Sequence, residues 1–164
     1  MTASIGPGAQ GGCDCGAVRY RLKAKPIVVK CCHCRACQRQ TGSAFAINAL
    51  IEPEQVEITG AELVQTSHET ASGHGQANLH CPQCGVSVYG VFAMAGDGIW
   101  FLRGGTLDDT GSLEPDLHIY TESKLPWVRI PEDAVQFPGF YSGRDIPQVF
   151  GTDGAARFRA ALGR

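Results

Sequence analysis

The sequence lacks any run approaching the ~20 consecutive apolar residues that cross a bilayer as a helix. It also lacks an excess of either charge. Lys and Arg number 14 against 16 Asp and Glu, a formal charge of −2. That balance excludes a dedicated nucleic-acid or anionic-membrane binder, whose affinity depends on a basic surplus. Charged residues make up only 18% and hydrophobic residues 43%, which excludes an intrinsically disordered chain. The opening residues, Met1-Thr2-Ala3-Ser4-Ile5-Gly6-Pro7, carry neither a basic n-region nor an apolar h-region. No secretory signal is read there, and the cytoplasm is the expected compartment.

Glycine and proline are abundant, at 21 and 9 of 164 residues. That composition favours short strands and turns over a helical bundle. The length fits one domain. Residues 1–10 read as a flexible tail and 11–164 as a single domain, with about 141–164 as a C-terminal extension. Val18, Tyr20 and Leu22 alternate with basic residues, the period of a half-buried strand. Strands are also expected from Ile27 onward, over Ala44–Ile51, Val56–Thr59, Glu62–Thr66, Val86–Met94 and Ile99–Leu102. Asp97-Gly98 reads as a tight hairpin turn. Residues 67–78 read as a polar loop bearing His68 and His74, and 106–147 as an extended, proline-rich wrap. The one clear helix candidate is C-terminal, with Asp153 as its cap and Phe158, Ala161 and Leu162 on one face.

Eight cysteines fall into three groups. Cys81-Pro82-Gln83-Cys84-Gly85 is a zinc knuckle, in which the glycine permits a sharp turn. Cys13-Asp14-Cys15, on a strand, would present both thiolates to one side. Together these pairs supply the four sulfurs of a closed tetrahedral zinc site. The middle group, Cys31-Cys32-His33-Cys34-Arg35-Ala36-Cys37, offers Cys32, Cys34 and Cys37 by C-x-C and C-x-x-C spacing. Three ligands leave an open position, the mark of a catalytic zinc, and a soft thiolate is the best candidate to fill it. Cys31 and His33 alternate with the three ligands, which makes shared ligation awkward. Arg35 lies beside the cluster, and Thr41, Gly42 and Ser43 follow it. Arg35 could attract an anionic thiol, and the Thr-Gly-Ser donors could receive a developing alkoxide. Their plainer readings are a solvated basic face and an ordinary turn.

The runs Gly12–Tyr20, Cys32–Ser43 and Cys81–Gly85 resemble the glutathione-dependent formaldehyde-activating enzyme family, which includes the centromere protein V-type domains. Gly105-Thr106-Leu107-Asp108 and Pro115–Tyr120 are similar to its later landmarks, with Trp127 following. The resemblance implies an all-β, Mss-four-like fold of antiparallel sheets with irregular connections and a short C-terminal helix. It implies a structural zinc on Cys13, Cys15, Cys81 and Cys84, and a second on Cys32, Cys34 and Cys37. The implied activity is zinc-dependent carbon–sulfur synthase or lyase chemistry on a small thiol such as glutathione and formaldehyde. The competing expectations are a zinc-binding interaction or carrier module, and a lyase for another thiol adduct. Cys31 and His80 depart from the pattern. His80 is either a neighbour of a zinc thiolate or a plain surface residue.

Overall fold

The Val18-Tyr20-Leu22 alternation becomes strand β2 (Val18–Leu22), with those three side chains buried. The computed structural model describes residues 5–70 and 72–163. Beside β2 lie β1 (Gln10–Gly12) and β5 (Val56–Gly60), forming a three-stranded antiparallel sheet in the order β1-β2-β5. Of the expected tail, Met1–Ser4 lie outside the described residues. From Ile5 the chain is packed: Ile5 is buried, and the Gly8 amide donates to the Leu22 carbonyl.

The larger sheet has eight strands. They are β3 (Val28–Cys32), β4 (Ala46–Ile51), β6 (Val64–His68), β7 (Gln76–His80), β8 (Ser87–Phe92), β9 (Trp100–Arg103), β10 (Leu117–Ile119) and β11 (Val135–Gln136). Their order is β11-β10-β3-β4-β9-β8-β7-β6. Pairing is antiparallel except at one edge, where β10 runs parallel to both β3 and β11. The 106–147 wrap thus returns two short strands to the sheet.

β3 is buried along its whole length because the sheet is covered on both faces. Val28 and Cys32 join a core with Leu50, Phe101, Ile119 and the helix residues Phe150 and Ala155. Val29 joins a second core with Ala49, Leu102, Val88 and the inward face of β2. A strand buried on both sides loses its polar alternation.

Among the described residues there are two α-helices. Helix α1 (Arg35–Thr41) opens at Cys34 and ends at Gly42, which takes the left-handed conformation (φ 62°). Helix α2 (Ile146–Ala161) is broken at Gly151 (φ 69°, ψ 173°). The C-terminal helix thus has two segments: Asp145 precedes the first, and the one expected from sequence follows Gly151. Phe158, Ala161 and Leu162 do pack on the first core. Asp97-Gly98 is not a two-residue hairpin turn. A kinked 3-10 segment, Ala93–Gly98, connects β8 to β9. The polar loop expected over 67–78 is shorter than its composition suggests, since β6 and β7 take both of its ends.

Candidate metal centres and thiol pocket

The Cys13 and Cys15 thiols sit in the turn between β1 and β2, not on a strand as expected, with the Gly16 amide donating back to the Cys13 carbonyl. Cys81 and Cys84 sit in the turn between β7 and β8. Gly16 (φ 76°) and Gly85 (φ 74°) both adopt the left-handed conformation that lets each turn close. Two hairpin tips, one from each sheet, thereby meet. The four sulfurs all lie within 4.8 Å of one another. Cys13 to Cys15 is 3.5 Å and Cys15 to Cys81 is 3.7 Å. Four sulfurs ~2.3 Å from a tetrahedral zinc stand about 3.8 Å apart, so this donor set fits zinc. Backbone N–H groups of Cys15 and Val86 hold the Cys84 thiol down at about 6, toward the thiolate that ligation requires. His80 braces the knuckle: Nδ1 lies 3.1 Å from the Gly85 carbonyl and Nε2 2.9 Å from the Thr66 hydroxyl.

The second group forms where β3 runs into α1. Cys32 ends the strand on the face of Val28 and Lys30, Cys34 caps the helix, and Cys37 lies one turn in. Their three sulfurs also lie within 4.8 Å of one another, and all three residues are buried. The Cys37 amide donates to the Cys34 sulfur at 3.4 Å. Hydrogen bonds from the Cys32 and Cys37 thiols, then from backbone N–H groups, hold Cys34 far below the ordinary thiol range. Three soft donors, one already favouring the thiolate, are a fitting cradle for zinc.

Cys31 and His33 face the other side of β3. There they meet His118 of β10: Cys31 Sγ is 3.5 Å from His33 Nε2, which is 3.0 Å from His118 Nδ1. These three could in principle hold an ion. A metal on His33 Nε2 would, however, leave a proton on Nδ1, which is buried with no acceptor. A hydrogen-bonded histidine pair, with Nε2–H donating to His118, satisfies the same atoms better. Burial lowers the His33 pKa to about 4 and keeps the ring neutral.

The three-cysteine group opens into a pocket of about 60 Å³. Phe92, Phe101, Ile119, Tyr120 and Phe140 supply its apolar wall, and Gln40, Asn48, Thr70, Ser72 and Gln76 its neutral polar wall. Lys30 is its one cationic lining residue among the described residues. Its Nζ donates to the Tyr141 hydroxyl at 3.1 Å and sits 4.7 to 5.2 Å from the ring centres of Phe101, Phe140 and Tyr141. Burial pulls its pKa down to about 7, opposed by the Cys32 and Cys37 thiolates. Behind the pocket, Arg103 bonds Asn48 at 2.8 Å and Gln40 and Asn78 at 3.1 Å, fixing two of the polar wall residues.

The substrate residues expected from sequence do not line this pocket. Arg35, Gly42 and Ser43 line a separate groove with Arg39 and Trp127, and Arg35 is engaged by Gln38. Thr41 donates to the Cys37 carbonyl at 2.8 Å and lines another groove, near His80. Thr41 shares a helix face with Cys34 and Cys37, but its hydroxyl turns back onto the Cys37 carbonyl, and the chain leaves α1 at the left-handed Gly42 before Ser43. His68 and His74 also lie in a groove of their own, although Thr70, Ser72 and Gln76 from the same stretch reach the pocket. Lys30 was legible, since strand alternation places residues 30 and 32 on one face. The aromatic wall comes from four distant segments and has no local sequence signal.

A family model described as glutathione-dependent formaldehyde-activating enzyme matches residues 8–123. A Halomonas elongata protein named "putative glutathione-dependent formaldehyde-activating enzyme" is 26% identical over 127 residues, covering 74% of this chain and 80% of that one. A crystal structure of a Rhodobacter sphaeroides protein aligns with a TM-score of 0.46 at 17% identity, over 60% of this chain and 87% of that chain. All seven cysteines of the two centres fall within the matched span, each where the chain folds sulfur beside sulfur. The chain belongs to the glutathione-dependent formaldehyde-activating enzyme family.

Proposed function

We propose that the chain is a zinc-dependent carbon–sulfur synthase or lyase that joins a small thiol to formaldehyde, or cleaves the adduct, in the three-cysteine pocket. One observation carries this reading: three buried sulfurs converge, with no fourth donor in their group among the described residues, on the floor of an open pocket. The other group, with four sulfurs, has no position to spare and suits a structural role.

Cys32, Cys34 and Cys37 would hold the catalytic zinc. Bound there, zinc supplies a Lewis-acid position at which an incoming thiol gives up its proton. In the forward direction the sulfur–carbon bond forms, the carbonyl π pair moves to oxygen, and that oxygen takes a proton. The product is an S-hydroxymethyl thiol, and the reverse reaction returns thiol and aldehyde. Lys30 is the cation set in the pocket to meet the oxygen on which charge develops. The aromatic wall excludes water and strengthens that interaction. Eight unpaired thiols fit a reducing compartment such as the cytoplasm. Among the described residues no helix is long and apolar enough to cross a membrane.

The test is magnetisation-exchange NMR with labelled formaldehyde and either glutathione or a simple alkyl thiol. Zinc-loaded protein is expected to accelerate adduct exchange, and Cys34→Ser to return the rate to that of buffer. Exchange unaffected by the wild-type protein with every thiol would overturn the reading.

A further inference from the structure

The pocket above the three cysteines has one charged side chain besides its thiols among the described residues, Lys30. Glutathione carries two carboxylates and an ammonium beside its thiol. Such a ligand needs cationic and bidentate partners at the pocket wall. Lys30 is the one cation lining the pocket among the described residues, a single ammonium against two carboxylates. The arginines nearest in sequence, Arg35 and Arg39, line a different groove.

The rest of the lining is aromatic and neutral polar. Phe140 is half exposed at the rim, with ring centres 6.4 Å from Phe92 and 6.2 Å from Tyr120. Phe92 in turn meets Phe101 edge-on at 6.0 Å. Tyr120 is held in the left-handed conformation (φ 56°), the one non-glycine residue so placed among the described residues. Its amide donates to the Gly139 carbonyl, so this strained residue is tied to the segment that carries Phe140. Strain of this kind persists where surrounding structure enforces it, and it concentrates at ligand sites. Phe140 and Tyr141 also lie beyond residues 8–123, the span the family model matches. This chain completes its pocket with a wall from outside that span.

We infer that the thiol or thiol adduct taken by this pocket carries an uncharged aromatic or apolar body next to its sulfur. The inference rests on the thiol-site reading above and narrows its substrate class. Phe140, Phe92 and Tyr120 flank that body, while the sulfur reaches the three cysteines below.

Isothermal titration calorimetry of the zinc-loaded protein tests it, with benzyl mercaptan, ethanethiol and reduced glutathione as probes. Benzyl mercaptan is expected to bind about tenfold more tightly than either of the others, through two or three aromatic contacts. Phe140→Ala is expected to remove most of the preference of benzyl mercaptan over ethanethiol. Glutathione binding as tightly as benzyl mercaptan would overturn the inference and leave the thiol site standing. Binding of none of the three would overturn the thiol site itself, and the inference with it. The wild-type comparison decides the matter even if the variant folds poorly.

Discussion

Cys34 is where the two halves of the account meet. It is the N-cap of α1, it accepts from the Cys37 amide, and it is the thiol of its group most biased toward the thiolate. Replacing it by serine removes one of three soft donors but keeps an oxygen able to cap the helix. Cys34→Ser is therefore expected to lose the metal of the pocket while holding its melting temperature within a few degrees of wild type. Metal analysis beside thermal unfolding checks both halves of that outcome. The tyrosines report burial in a different way. Burial raises Tyr20 to about 12, against the Thr106 hydrogen bond that favours its ionised form, and burial also raises Tyr141. A tyrosine whose folded pKa is raised keeps its proton after the unfolded chain has lost one. Stability should thus fall as pH rises from about 10 toward 12. Tyrosinate absorbance followed with pH should show Tyr20 and Tyr141 titrating last, with unfolding drawn on by alkali. Normal titration of all four rings in the folded protein would contradict the burial described.

Among the elements, α2 shows best how the C-terminal region is anchored. Arg157 forms a bidentate pair with Glu52, at 2.8 and 2.6 Å, and also donates to the Lys25 carbonyl at 2.9 Å. Glu52 is buried, so Arg157→Ala strands a carboxylate and should cost about 1–2 kcal/mol in urea unfolding. At the far end of α2, a Cβ on Gly98 would overlap the Ala161 carbonyl. Gly98→Ala is expected to cost about 1–3 kcal/mol, since a backbone group must move to admit it. A neutral outcome at Gly98 would mean that α2 does not close against the β8–β9 connection. Strands with clear alternation, such as β2, were legible from the residues alone, as was the pairing of cysteines into a four-set and a three-set. β7 was not, because Gln76, Asn78 and His80 look like loop. Asn78 is in fact buried and satisfied by Arg103, a partner 25 residues away. Parallel pairing of β10 with β3 was also hidden, since nothing local in three residues reports which way a neighbour runs. The Thr41–Ser43 expectation failed for a related reason. Thr41 shares a helix face with Cys37, yet its hydroxyl is held by the Cys37 carbonyl and the chain turns off at Gly42, which spacing does not reveal.

On the scale of the whole molecule, the four-cysteine centre joins the tips of two hairpins that belong to different sheets. Its binding energy is folding energy, and chelation should loosen the contact between the sheets. The three-cysteine centre joins β3 to α1 at the floor of a pocket, and its cysteines pack into a large apolar core. Titrating the holoprotein with a zinc chelator should therefore release the pocket metal first with little loss of circular dichroism. The second metal should leave only with unfolding. Simultaneous release of both would contradict the division of roles. Most direct of all is the zinc content per chain of protein purified without chelator, for the wild type and for Cys34→Ser. The account predicts two zincs in the wild type and one in the variant. One zinc in both would leave a four-cysteine structural site alone and contradict a zinc-bearing thiol pocket.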